Sequence, residues 1–441
     1  MYPLEQLWEA ADRILSRAEG DQVEVVIQGG RTELTRIANC TIHQNTSEEQ
    51  AVVSVRLVVG KKIGCVQVNS LEGEAVDQAA RKAREVALLQ PENPEFVSLP
   101  EGEEAMTVDA FDEEVAECSP GRRAEMARTM IEAAERRGMK AFGSVSTEAG
   151  TLLVANSLGV RAHHSFTQAG VTSLMSDESS SGWGEAHSSR LDGVDAELVG
   201  ETAAAKCLQG REPVEVEAGD YVVVLEEPAV CDVLGFLGFV GLGAMALQDG
   251  TSFMCEKMGQ KVADERVTLW DDGLDRRGIP MPFDYEGVPK QKVTFVEAGV
   301  ARAVVYDSYT ANRAGKKSTG HAYLAPNPHG PFPSHVFLAT GEATEEEMVA
   351  SIERGLLVTR FHYTNIVHPK LTVITGMTRD GTFLIENGKI GRGVKNLRFT
   401  QSILEALERV LMVGREGKLC EYGWAPALKI DSFHFSGKTE F

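Results

Sequence analysis

Cysteine is scarce and unpatterned in this chain. Its seven residues, at 40, 65, 118, 207, 231, 255 and 420, are odd in number and form no CxxC. That argues against a disulfide framework and for reduced thiols in a reducing compartment. Positive charge is also short. With 44 Lys and Arg against 65 Asp and Glu, the net charge is -21. A nucleic-acid footprint needs a basic face, so no nucleic-acid partner is expected. No apolar run reaches the roughly 20 residues that span a bilayer. The longest, Val233 to Leu247, has 15 residues. The opening segment MYPLEQLWEAADRIL is an amphipathic helix pattern containing acids, and it lacks a basic n-region and an apolar h-region. These absences predict a cytoplasmic protein without membrane contact.

Several catalytic signatures are missing too. A zincin helix carries two His on one face with a Glu as general base, yet none of the ten histidines is followed by Glu. There is no GxSxG, no cysteine in a recognisable nucleophile setting, and no phosphate-binding glycine loop after a strand. His329 and His335, and likewise His362 and His368, are six apart. Even spacing puts such pairs on one face of a strand, but Pro331, Pro333 and Pro369 interrupt regular strands there. Ordinary loop or core histidines explain them better than a metal site.

What is present is an ordinary globular composition, 43% hydrophobic and 25% charged, over 441 residues. That length suits two to three domains at roughly 150 residues each. The helix pattern of Leu4–Ala18 precedes strand-like Gln22–Gln28 and an extended run from Thr32 to Ile42. A hairpin then pairs Ala51–Val59 with Ile63–Val68 across Gly60-Lys61-Lys62. Helices are predicted over Leu71–Leu89, capped by Asn69-Ser70, and over Pro120–Arg137, capped by Ser119 with Pro120 first. Ala141–Met175 reads as three β runs, Ser176–Ser189 as a mobile polar loop, and Leu191–Gln209 as a helix. Arg211–Gly219 is the predicted boundary. It divides an α+β N-terminal domain (1–215) from a β-rich C-terminal domain (216–441).

The second domain opens with a strand at Tyr221–Leu225 and one apolar helix, 228–247. Short extended runs follow, with a helix at Thr344–Gly355, another at Phe399–Val413 and a closing strand at Pro426–Phe435. Many antiparallel strands with few helices predict a large curved sheet or partial barrel. The apolar helix holds glycines at 235, 238, 241 and 243. Each interior glycine costs about 0.5–1 kcal/mol against Ala, so four imply close packing or a backbone that something else approaches. Two polar clusters stand out beyond it. Asp284-Tyr285-Glu286 places two carboxylates on one face if extended, the spacing of an acid–base pair, although an acidic turn before Pro289 is commoner. Ser318-Thr319-Gly320-His321 reads as a turn, or as a contact to a peptide or partner.

Taken in order, many segments resemble the TldD/PmbA (TldD/TldE) metalloprotease family. They include Val55-Arg56 to Gly60, Ile63-Gly64, the helix of Ala79–Ala87 and Asn156-Ser157-Leu158-Gly159. The second half adds GTSF (250–253), FDYEGVP (283–289), YDSYTANRAGKKSTGH (306–321), Gly341, Glu346, Gly355-Leu356, LIENGKI (384–390) and the terminal GREGKLCEYGWAPALKI. The resemblance runs along nearly the whole chain. It implies an α+β N-terminal domain and a C-terminal domain with a large antiparallel, barrel-like sheet. It also implies two kinds of subunit: TldD-type chains with a zinc helix HExxxH and a late Cys ligand, and TldE/PmbA-type chains without them.

Counted back from GTSF, the zinc-helix slots here hold Gly235, Phe236 and Val240. Counted back from PALKI, the Cys slot holds Val413, with Cys420 seven residues later. None of the slot residues can bind zinc or act as a base. The resemblance therefore implies a TldE/PmbA-type subunit with no catalytic or metal residue and no cofactor of its own, with zinc expected in a TldD-type partner. Such a subunit would act on peptides or unfolded polypeptides, with Asp284, Glu286, Tyr309, Ser318, Thr319 and His321 as substrate- or partner-contact candidates. The alternative is a stand-alone homodimeric peptide- or protein-binding module without peptidase activity.

Overall fold

The computed structural model describes residues 2–421 and 423–439. In the first half, α1 (Leu4–Arg17) precedes β1 (Gln22–Ala38), β2 (Thr41–Val59) and β3 (Lys62–Val68), and α2 (Gly73–Leu89) follows. Next come α3 (Glu113–Ala116), α4 (Pro120–Glu135), β4 (Lys140–Asn156), β5 (Arg161–Ser176), β6 (Ser181–Ser188) and α5 (Ala196–Gln209). The strands form one six-stranded sheet in the order β3-β2-β1-β4-β5-β6, antiparallel throughout. Strand alternation gives the sheet two uses. On one face Val23, Val25, Ile27, Leu153 and Ala155 bury against α1 and α2, and Ala141, Val145, Val171 and Met175 bury against α4 and α5. On the other face Val26, Leu152 and Val154 meet Phe283, which belongs to the second half.

The second half runs β7 (Gly219–Leu225), α6 (Glu227–Gly241), α7 (Ala244–Gln248), β8 (Leu269–Asp271), β9 (Val293–Glu297), β10 (Val300–Ala301), α8 (Ser308–Ala314) and β11 (Val336–Leu338). It continues with α9 (Glu345–Ala350), β12 (Arg354–His368), β13 (Val373–Glu386), β14 (Lys389–Gly393), β15 (Leu397–Ser402), α10 (Ile403–Glu408), β16 (Val410–Cys420) and β17 (Gly423–Lys438). Its 11-stranded sheet is ordered β10-β9-β8-β11-β17-β15-β13-β12-β7, with β14 beside β13 and β16 beside β17. An additional β17–β7 pairing closes five of the strands into a ring. Phe361, Phe399, Phe433 and Phe435 pack together there, with Phe361 and Phe399 centroids 4.5 Å apart. The fold is α+β with a large, partly closed and mainly antiparallel sheet, as expected.

Four expectations need correction. The helix predicted over 228–247 is two helices, α6 and α7, parted at Leu242-Gly243. There Gly243 bridges Val305 and lies so near the Pro331 carbonyl that a Cβ would collide with it. The predicted loop 176–189 is largely strand β6, because Gly182 and Gly184 let it press against the backbone of α5. The helix expected to close at Gly355 ends at Ala350, and Gly355 sits in β12 between β13 and β7. Over 399–413 only Ile403–Glu408 is helical, flanked by β15 and β16. Local apolar periodicity there yields to pairing with β17, the tertiary context that overrides propensity. Among the described residues no helix is long and apolar enough to cross a membrane.

Candidate functional site

A groove of about 640 Å3 runs along α6. The helix contributes Pro228, Cys231, Asp232, Gly235, Phe236, Gly238 and Phe239, spaced three and four apart as one helical face requires. The facing wall is Arg360 to Thr364 of β12. The loop Phe332–Val336 with Tyr323 forms the floor, and Cys420 and Glu421 close one end. Among the described residues the only exposed Phe or Tyr side chains are Phe239 (56%), Tyr323 (53%) and Tyr363 (73%), and all three line this groove. Tyr363 is thrown outward by a bulge in β12 and sits at φ 51°. A non-glycine residue in that region marks local strain of the kind found at ligand sites.

The polar groups of the groove are few. Asp232 Oδ2 accepts a hydrogen bond from Thr364 Oγ1 at 2.6 Å. Burial pushes its carboxyl up to about 6, with Glu421 adding to the rise and the Thr364 bond and Arg360 opposing it. Arg360 is committed elsewhere. Its Nε donates to Asp380 at 3.0 Å and its guanidinium stacks 3.8 Å over Trp183. Cys231 donates to the Gly423 carbonyl at 3.4 Å. Its thiol neighbours Cys420, whose own ionisation is pushed up by that contact and by burial. Both thiols are free.

Of the slot positions, Gly235 and Phe236 line the groove, but Val240 is buried in the core. Five residues turn an α-helix by about 500°, so the first and last slots cannot share a face in a regular helix. Val413 is not the late residue at the groove either. It lies against Gly341, and Cys420 is the residue of β16 that lines the groove. β16 slips register against β17 between Val413 and Gly417. Sequence reasoning passed over Asp232, Cys231 and Cys420. The available signal was Asp232 itself, the one charge between Pro228 and Gln248. Among the described residues no three His, Cys, Asp or Glu side chains converge to hold a metal ion. The groove's donor set therefore does not fit a zinc centre.

The polar residues singled out from the sequence meet in a different place, the seam between the halves. Asp284 is 1% exposed. Its carboxylate accepts from the backbone N–H groups of Glu286, Val288 and Ala322 at 2.7–2.9 Å. Burial and the charge of Glu286 push it up to about 8 against those donors. The segment is a turn, so Asp284 and Glu286 face different partners and do not work as an acid–base pair. Glu286 instead accepts from Arg56 Nη2 at 3.0 Å and from Ser308 N–H at 3.0 Å. Arg56 Nη2 also binds Glu24 at 2.6 Å.

The second cluster is tied into the same seam. Tyr309 donates to Glu95 at 2.7 Å, and Ser318 and Thr319 donate to the Tyr306 carbonyl at 3.1 Å. His321 lies between Thr319 and Asp271, 2.9 Å from the latter. Burial and Lys290 push its pKa down, with Asp271 opposing. None of these six residues lines the α6 groove; Asp284 lines a second cavity, and Glu286 and Tyr309 a third.

The architecture and the groove define a two-part α+β protein. A partly closed sheet presents one helix face to a cavity of about 640 Å3. Two family models match the chain, the PmbA/TldA metallopeptidase domain 1 over residues 23–87 and the PmbA/TldA metallopeptidase C-terminal domain over 218–437. The chain belongs to the PmbA/TldD metallopeptidase family. The metalloprotease PmbA homolog of Haemophilus influenzae is 22% identical over 439 residues, 92% of each chain. The metalloprotease TldD homolog of Buchnera aphidicola is 29% identical over 225 residues, 50% of this chain and 44% of that one. The chain thus spans less than half the length of the TldD relatives it matches. In fold it is similar to TldE from Thermococcus kodakarensis, with TM-score 0.87 and 22% identity over 98% of this chain and 100% of that one.

Proposed function

We propose that this chain is a zinc-less, non-catalytic subunit of a cytoplasmic metalloprotease of the TldD/TldE kind. Its groove holds an extended segment of peptide or unfolded polypeptide, and a TldD-type partner supplies the zinc and the base. The observation that carries this reading is an open groove with an unequipped helix. The α6 face keeps the cavity and its three exposed aromatics, yet presents no convergent metal-binding set among the described residues. The wall fits the role. β12 pairs with β7 only over Gly355–Val358, so its groove-side edge beyond Val358 has no neighbouring strand among the described residues. A free strand edge beside a pocket takes extended chain by main-chain hydrogen bonding.

The test is peptidase activity on an unfolded polypeptide, with the purified chain alone, with zinc added, and with a TldD-type chain from the same source. Cleavage is expected only in the mixture. Zinc-dependent cleavage by this chain alone would overturn the proposal. Recovery of the chain from its host only as a homodimer, with no HExxxH-bearing partner, would favour the stand-alone binding module.

A further inference from the structure

Resting on the reading of the groove as a polypeptide-holding site, we infer that it selects segments carrying a lysine or arginine flanked by apolar residues. The argument begins with charge. Asp232 on the helix, Glu421 at the end and Glu185 on the opposite rim all line the cavity. None of the three makes an ion pair within 4 Å among the described residues. Asp232 has only the Thr364 hydroxyl, and Glu185 accepts from Trp183 Nε1 at 3.0 Å. The one arginine in the groove, Arg360, is held by Asp380 and stacked on Trp183, so it offsets Asp232 only in part and pairs with none of the three. His362 is turned against the Tyr363 ring, 4.6 Å between centroids. The cavity is therefore an anionic slot whose one lining arginine is shared with Asp380.

Its rim adds a second, independent preference. Phe239, Tyr323 and Tyr363 are solvent-exposed aromatics on one cavity. Aromatic faces attract cations and cover the apolar stems of long side chains. A lysine or arginine reaching Asp232 would lay its methylenes along Phe236 and Phe239 and bring its charge to a half-buried carboxylate. An acidic side chain would meet three carboxylates and be rejected, the repulsive half of specificity.

The preference should follow the ionisation of Asp232. Its carboxyl is raised by burial and by Glu421, with Thr364 and Arg360 opposing. The groups facing it are those two, Glu421, the thiols of Cys231 and Cys420, Glu185 and His362. Asp232 adds its attraction for a cation only when ionised, so selectivity rises with pH through about 6 and weakens below it.

The experiment is fluorescence anisotropy of the full chain with labelled unstructured ten-residue peptides. They share an apolar sequence and differ only in a central Lys, Gln or Glu. At pH 7.5 the Lys peptide is expected to bind about tenfold tighter than the Gln peptide, the scale of one partly desolvated charge pair, and the Glu peptide weakest. At pH 5 the Lys advantage should shrink. Asp232→Asn should narrow the Lys advantage over Gln severalfold, with a melting curve to show that the variant folds. Equal binding of all three peptides to the wild type, or a Lys advantage that survives both pH 5 and Asp232→Asn, overturns the inference and leaves the holding role standing. Binding of none of the peptides overturns the holding role itself.

Discussion

Replacing Arg56 by methionine removes the only cation shared by two buried carboxylates at the seam of the molecule. Glu24 on β1 is 2% exposed and Glu286 in the second half is 5% exposed. Both reach the same Nη2, at 2.6 and 3.0 Å. Methionine preserves most of the apolar stem, so the loss is electrostatic. Deleting one partner of a buried pair costs about 3–5 kcal/mol because the remaining charge stays desolvated. That is a large share of a typical folding stability of about 5–15 kcal/mol.

The pH dependence gives a sharper test. Burial already raises the Glu24 pKa, with Arg56 pulling it down and Glu286 pushing it up. Removing Arg56 raises it further. A carboxyl whose folded pKa exceeds its unfolded value favours the folded state below the unfolded pKa, and that stability is lost as pH rises through the folded pKa. The Arg56→Met penalty should therefore be largest near pH 8 and shrink toward pH 5. Urea unfolding at both values measures it, and the triple variant E24Q/R56M/E286Q should recover most of the loss. A penalty under about 1 kcal/mol at pH 8, the scale of an exposed pair, or one that does not change with pH, would refute the argument.

Three further outcomes are expected. A Cβ on Gly241 would come within 2.6 Å of Phe253 Cε1, whereas one on Gly238 would meet only Pro333 Cγ at 3.3 Å. Gly241→Ala should therefore destabilise by about 1–3 kcal/mol. Gly238→Ala should be neutral or gain up to about 1 kcal/mol from helix propensity. Thermal melts of the two variants separate them. His335 donates to the Ile279 carbonyl, and burial together with Lys290 pushes its pKa down to about 4. A depressed histidine contributes stability above its unfolded pKa near 6.5 that is lost as pH falls through 4. His335→Gln should flatten the stability profile between those values, measured by urea titration. Thr344 and Glu347 form a reciprocal capping box at 2.9 and 3.1 Å. Thr344→Ala should cost about 1 kcal/mol, seen as a lower urea midpoint with unchanged slope.

Periodicity made much of the fold legible. The Ala51–Val59 and Ile63–Val68 hairpin, the Ser119-capped helix and the curved second sheet all follow from local pattern and turn chemistry. The predicted Asn69-Ser70 cap came close. Ser70 accepts from the Glu72 N–H, but the cap position is Glu72 and has no side-chain bond. What failed depended on partners far along the chain. β6 looks like a loop until α5 packs on its glycines, and residues 399–413 look helical until β17 pairs with both flanks.

The same limit shaped the site. Asp284, Glu286 and His321 stood out as polar residues in glycine-rich turns. The partners of Glu286 and His321, Arg56 and Asp271, lie 50 or more positions away. Asp232 drew little notice as a lone charge in an apolar helix, and only the β12 wall, more than 120 positions later, makes a groove of it.

The closing of the five-strand ring has a consequence for how the protein is made. β7 ends at Leu225 and its partner β17 begins at Gly423, so about 200 residues must leave the ribosome before the two can pair. Until then β7 has only the parallel β12 beside it, and β15 waits with one edge unfilled. During synthesis the nascent second half thus carries open strand edges next to a cluster of phenylalanines, a state prone to misassembly. Chaperone demand should fall on this late window, after the six strands of the first sheet, all before residue 190, have been made.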